Sequence, residues 1–233
     1  MKKIICIIPA RKGSKRIKKK NIKIFNKKPI IFWSIKAAIK SNIFDEIMVS
    51  TDSNEIASYS KNLGVKVPFL RSKFNSNDLA TTNDVVLEVL SKYKEIGMDF
   101  DLACCLYPTA AFVTPKYLIK GKNKLIKSNL DAILPITEIN APIWRSFKRD
   151  SKGLISHNFP KNVNSRSQDL PKAYADAGQW YWFNVKSFFK TKKILSKNTG
   201  SMVLPSEIVQ DIDNDKDWKI AELKHKRLIK SIS

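Results

Sequence analysis

The chain has 233 residues, 43% of them hydrophobic, which suits one domain with a sizeable core. Lys and Arg total 43 against 21 Asp and Glu, a formal net charge of +22, so an anionic partner is expected: nucleic acid, nucleotide or an acidic small molecule. No apolar run approaches the ~20 residues of a membrane span, and the five apolar residues between Lys3 and Pro9 are too few for a secretory leader.

A cytoplasmic protein without membrane contact is therefore expected. Cys6, Cys104 and Cys105 lack C-x-x-C spacing and sit in apolar runs, as reduced core cysteines would. The positive charge is spread along the chain rather than gathered in a tail. No RRM-like alternation of aromatic and basic residues is present, which argues against a nucleic-acid partner. His157 and His225 have no partners at zinc spacing, and no Ser/His/Asp or Cys/His nucleophile set is evident.

Ile4 to Ile8 is short, apolar and β-branched, and predicts a strand buried on both faces. Pro9 ends it. The basic loop Ala10-Arg11-Lys12-Gly13-Ser14-Lys15-Arg16 follows, running on to Lys20-Asn21. Its spacing is neither a P-loop nor G-x-G-x-x-G. A strand followed by a cationic loop and a helix is nevertheless a layout in which anions bind, beyond the carboxyl ends of the strands. Pro29 opens a helix to Ser41. Glu46–Ser50 predicts a strand, Ser53 or Asn54 a cap, and Gly64 the stop of a helix reaching Leu63. Asp52 reads either as a turn residue or as part of a site. Val65 to Phe69 predicts a short strand around Pro68.

Thr81 to Asp84 is a good start for a helix over Val85 to Ile96. Leu102–Leu106 predicts a buried strand ended by Tyr107-Pro108-Thr109. A helix from Thr114-Pro115 to Lys127 and a strand over Leu130 to Thr137 follow. Strands alternating with helices predict a mostly parallel, right-handed doubly wound sheet. Residues 138–175 lack helical period and are rich in Pro, Asn, Ser and Arg, and predict an inserted arm of short strands. Trp180 to Val185 predicts a buried or edge strand, with Phe188 and Phe189 in the core. Ser201 to Pro205 and Ile208 to Ile212 predict short strands. On a strand, Asp211 and Asp213 point the same way and could share one hard cation. Lys216 to Ile229 predicts the last helix, with Asp215 and Asp217 as its cap candidates.

Taken as whole strings, several of these segments resemble the acylneuraminate cytidylyltransferase family. They are the N-terminal basic loop, Val49-Ser50-Thr51-Asp52-Ser53, Asn77 to Thr82, Arg166-Ser167-Gln168-Asp169-Leu170-Pro171 with Asp176-Ala177-Gly178-Gln179, and Asp211-Ile212-Asp213, in the expected order. The family often has Gly where this chain has Lys12, and Gln at the position of Tyr107. The place of the arginine before Leu170-Pro171, and Ala177 in place of Asn, look like the pseudaminic acid branch.

The resemblance implies an α/β, Rossmann-like sheet of nucleotide-diphospho-sugar transferase type, one domain over residues 1–233, with the arm at 138–175 serving dimerisation and substrate binding. It implies transfer of CMP from CTP to an acidic nine-carbon sugar, with release of pyrophosphate, by a homodimer. The matching nucleotide residues are Arg11, Ser14, Lys20, Asn21, Arg71, Thr82 and Pro108. The sugar residues would be Arg166, Gln168, Gln179 and Tyr181, an arginine fork being suited to a carboxylate. Asp211 and Asp213 would hold Mg²⁺, and Arg11 and Lys20 would act with them in catalysis. N-acetylneuraminic, legionaminic and Kdo acceptors, a nucleotide-sugar glycosyltransferase and a basic RNA-binding protein are the alternatives.

Overall fold

The computed structural model describes residues 2–232, with side chains through residue 229. Strand β1 (Ile4–Pro9) leads through the basic loop to a two-residue hairpin, β2 (Ile24–Phe25) and β3 (Lys28–Pro29). Then come α1 (Ile30–Ser41), β4 (Glu46–Ser50), α2 (Asn54–Asn62), α3 (Thr82–Glu95), β5 (Leu102–Leu106), α4 (Pro115–Lys127) and β6 (Ala132–Glu138). The arm carries β7 (Phe147–Arg149) and β8 (Ile155–His157), and returns through β9 (Tyr174–Asp176) to β10 (Trp180–Asn184). The chain closes with α5 (Val185–Thr191), β11 (Thr199–Val203) and α6 (Asp215–Ile232).

The seven-stranded sheet runs β11-β6-β10-β5-β1-β4, with β9 also paired to β6. β1 pairs in parallel with β4 and β5, and β11 in parallel with β6. β10 lies antiparallel between β5 and β6, so the expected mostly parallel sheet carries one reversed strand near its middle. The reversal follows from the arm. The chain leaves at the end of β6, returns as β9 against the same strand, kinks at Gly178 (φ +61°), and continues as β10.

Alternation along β1 divides the core. Cys6 and Ile8 face α1, α2 and α4, while Ile5 and Ile7 face α3 and α5. All three cysteines are buried and free. Trp180 and Trp182 are fully buried beneath α4, with Phe44 stacked on Trp182 at 5.3 Å. A third cluster lies beside the sheet. It joins Ile17 of the basic loop to Phe25, Ile208, Ile212 and Trp218.

Three local expectations are corrected. Val65 to Phe69 forms no strand, because only Lys66 bridges to Met48 before Pro68 turns the chain away. Ile208 to Ile212 is the end of a short 3₁₀ turn (Ser206–Ile208) followed by irregular backbone, and no strand pairs with it among the described residues. Asn214, not Asp215 or Asp217, caps α6. Its Oδ1 accepts from Lys216 N (2.9 Å) and Asp217 N (3.0 Å), and Asp217 returns the bond by accepting from Asn214 N (3.2 Å), with a further bond from Asp213 N (3.0 Å).

Candidate active site

The loops leaving β1 and β5 open at the same edge of the sheet and line a cavity of about 540 Å³. The basic loop is fixed from several sides. Ala10 N donates to Ser50 O (2.9 Å), and Lys12 N donates to Asp52 Oδ1 (2.7 Å). Asn21 Nδ2 donates to Arg11 O (2.9 Å), and Ile17 is buried in the third cluster. Asp52 thus acts as an anchor for the loop, while Ser53 caps α2 by accepting from Ile56 N.

Ile212 is buried in the same cluster as Ile17. That shared burial is why two polar segments far apart in sequence face each other. Asp213 Oδ2 lies 2.5 Å from Arg16 NH1, and the Lys20 ammonium donates to Ile212 O. Burial lowers the Lys20 pKa from its ordinary value; Asp213 and Asp211 act in the opposite direction, and Arg16 adds to the lowering.

The far wall comes from other elements. Arg71 is 7% exposed; its Nε donates to Ser50 Oγ (3.0 Å), and its guanidinium also bonds Ser50 O (2.5 Å). Burial lowers its pKa, with Asp52 and Glu88 acting against the shift. Thr81 forms a capping box with Asp84, which leaves the Thr82 hydroxyl free to reach Tyr107 Oη at 3.3 Å. Ser34 Oγ supports the turn at Pro108 from below, donating to Tyr107 O (2.9 Å) and Pro108 O (3.3 Å).

Arg11, Ser14, Lys20, Asn21, Arg71, Thr82, Pro108, Asp211 and Asp213 all line this one cavity. The sugar-site candidates do not. Tyr181 lines an adjoining recess of about 250 Å³, whose wall it shares with Thr82 and Tyr107. Its ring meets Tyr107 edge-on at 5.2 Å, and its hydroxyl donates to Asp176 Oδ2 (2.7 Å). Gln179 is buried, and its amide donates to Ile208 O (2.5 Å), so it braces the segment leading to Asp211 instead of lining the cavity. Arg166 and Gln168 are exposed on the arm, and Arg166 pairs there with Asp169 at 2.8 Å. The site also contains residues not singled out from sequence. Lys15 and Arg16 line it, as do Tyr107 and Gly178. The two cations were visible within the loop string, but nothing in the spacing told them from the other lysines around them.

A cation-lined cavity at the carboxyl ends of the strands, closed by an acidic pair, fits a nucleoside triphosphate. A profile of the cytidylyltransferases matches residues 5–183. The chain belongs to this family. It is 38% identical to the pseudaminic acid cytidylyltransferase of Campylobacter jejuni over 96% of this chain and 97% of that one. It is 32% identical to the CMP-N,N′-diacetyllegionaminic acid synthase of Legionella pneumophila over 94% of this chain and 95% of that one. Among solved structures, a CMP-2-keto-3-deoxy-manno-octonic acid synthetase complexed with CTP superposes with a TM-score of 0.72 at 16% identity. The superposition covers 97% of this chain and 99% of that one, and shows a shared fold. This cytidylyltransferase is a CTP-dependent nucleotidyltransferase, and the cavity over β1 and β5 is its candidate active site.

Proposed function

We propose that the enzyme transfers CMP from CTP to pseudaminic acid, releasing pyrophosphate, and that it works as a homodimer in the cytoplasm. One juxtaposition carries the reading: the basic loop after β1 and the carboxylates Asp211 and Asp213 line the same cavity. The named activities of the relatives at 38% identity direct the choice of sugar.

Arg11, Lys15 and Lys20 neutralise the triphosphate and then the departing pyrophosphate. Arg71 and Thr82 hold the cytidine end against the far wall. The anomeric hydroxyl of the sugar attacks the α-phosphorus, a P–O bond forms on that side as the hydroxyl proton passes to solvent, and the bond to pyrophosphate breaks in line. Positioning and fixed charge suffice for such a transfer, so no covalent protein nucleophile is required. The sugar enters from the recess beside Tyr107 and Tyr181.

Asp211 and Asp213 suit Mg²⁺, being paired hard oxygen donors beside a phosphate site. Among the described residues no group of three or more His, Cys, Asp or Glu could hold a metal alone, so substrate oxygens and water would complete the shell. When bound, the ion lowers the negative charge on the phosphates. Arg166 serves the sugar carboxylate of a second subunit. The exposed apolar side chains of the arm, Phe147, Leu154 and Ile155, are the surface through which the arm would reach that subunit.

The test is a pyrophosphate-release assay with CTP, Mg²⁺ and a panel of pseudaminic, legionaminic, N-acetylneuraminic and Kdo acids. Pseudaminic acid is expected to give the highest kcat/KM. Preference for another acid on the panel overturns the choice of sugar. Asp213→Ala is expected to lose about 10²–10³-fold in turnover while keeping its circular dichroism; near-normal turnover removes the metal role.

A further inference from the structure

Two of the cations lining the cavity already hold an anion. Asp78 Oδ1 lies 2.7 Å from Arg11 NH1, and Asp78 Oδ2 lies 2.6 Å from Lys15 Nζ. Arg11 NH1 also donates to Asn77 O at 3.0 Å. Both cations line the cavity, and so do Ala80, Thr81 and Thr82, so the segment bearing Asp78 forms the lip of the nucleotide site.

The turn that carries Asp78 is closed by local bonds, beyond the point where buried Asn75 ties the chain to Glu88. Asn77 Oδ1 accepts from Leu79 N (2.7 Å) and Ala80 N (2.9 Å), and Asn77 Nδ2 donates to Phe74 O (2.7 Å), so the turn satisfies its own backbone. It has no apolar anchor: Leu79 is 89% exposed and Phe74 80% exposed. Releasing Asp78 from Arg11 and Lys15 therefore uncovers no core.

We propose that Asp78 is a resident competitor for the polyphosphate end of the nucleotide, setting the affinity for CTP and for pyrophosphate together. The inference rests on the reading that Arg11 and Lys15 meet the phosphates. A polyphosphate carries more charge and more acceptor oxygens than one carboxylate, so it wins the exchange. Asp78 still subtracts from its binding. The same subtraction applies to pyrophosphate, which is held by the same groups after transfer, so the carboxylate favours product departure as well. The sugar does not touch this pair, so its binding is unaffected.

Asp78→Asn keeps the size of the side chain and removes the charge. Isothermal titration with CTP and with pyrophosphate, in the presence of Mg²⁺, is expected to show both ligands binding roughly two- to tenfold tighter, as loss of two exposed ion pairs allows. The KM for sugar is expected to stay unchanged, and Asp78→Glu to bring both affinities back toward wild type. Glu55→Gln is the control for net charge. It removes one negative charge from the neighbouring exposed pair with Lys19 (2.9 Å), neither member of which lines the cavity, and is expected to change CTP affinity less than twofold. If wild type binds CTP but Asp78→Asn binds it equally or more weakly, Asp78 is a strut for Arg11 and the inference falls while the nucleotide site stands. If Glu55→Gln tightens CTP as much as Asp78→Asn, the effect is one of overall charge and the inference falls. If wild type binds no CTP, both readings fall.

Discussion

The Lys20 ammonium donates to the carbonyl oxygen of Ile212, 192 residues further along the chain. Ile212 lies between the two carboxylates, so this one bond ties the basic loop to the acidic segment. It also sets a half-buried cation in the wall of the cavity. Lys20→Met keeps most of the stem and removes the charge. It is expected to lower kcat/KM for CTP on the order of 10²-fold, the scale of removing one preorganised electrostatic contact. Steady-state pyrophosphate release checks it, and a melting curve near that of wild type shows that the fold survives.

Arg166→Ala tests the arm. The side chain is exposed and, among the described residues, pairs only with Asp169, three residues away, so its loss costs the folded chain little. The expected outcome is a KM for sugar raised about tenfold or more, from loss of a charge-assisted contact, with the KM for CTP nearly unchanged. An unchanged sugar KM removes Arg166 from the site.

Gly121→Ala tests the seat of α4 on the sheet. A Cβ at Gly121 would come within 2.7 Å of ring atoms of both Trp180 and Trp182. Alanine gains about 1 kcal/mol over glycine in a helix interior. Two buried indoles cannot yield cheaply, and overpacking of about 1–3 kcal/mol opposes that gain. The melting temperature is expected to fall by several degrees, while the KM for CTP in the surviving folded enzyme is unchanged because neither tryptophan lines the cavity.

His225 gives a pH dependence. It is 3% exposed, among the rings of Phe25, Trp33 and Phe112, and its Nδ1 accepts from Asn26 Nδ2 at 3.1 Å. Burial lowers its pKa to about 4, against a backbone hydrogen bond with Ala111 that raises it. Between about 4 and the unperturbed value near 6.5, the unfolded chain binds a proton that the folded chain does not. Stability is therefore lost as pH falls through that window, by on the order of 3 kcal/mol at its lower end. His225→Gln lacks this titration. Urea unfolding at pH 7 and pH 4.5 is expected to show a smaller acid loss for the variant than for wild type.

The regular elements were legible because each announces itself locally. β4 and β5 have the boundaries that their apolar runs predict, and α1 starts where Pro29 fixes φ. The failures lie where a tertiary partner decides. Ile208 to Ile212 has strand composition, but Ile208 and Ile212 are buried in a side cluster with Ile17, and among the described residues no strand pairs with the segment. Asp211 and Asp213 still reach one cavity, though through the burial of Ile212 between them and not through strand alternation. Gln179 looked like a ligand because it sits in a distinctive polar string; its partner, Ile208 O, is supplied by backbone about thirty residues away that no local pattern reveals. Lys15 and Arg16 were hidden among like residues, since a lysine-rich chain offers no contrast by which to choose.

The side cluster that joins Ile17 to Ile212 has a consequence for synthesis. All seven strands of the main sheet precede Asp211 in the chain. The strands can therefore pair before the carboxylate segment folds onto them, but Ile17 lacks part of its cover until Ile208, Ile212 and Trp218 reach it. A chain cut shortly after β11 would keep every strand of the sheet and lose, in one stroke, both carboxylates and the apolar cover of the basic loop.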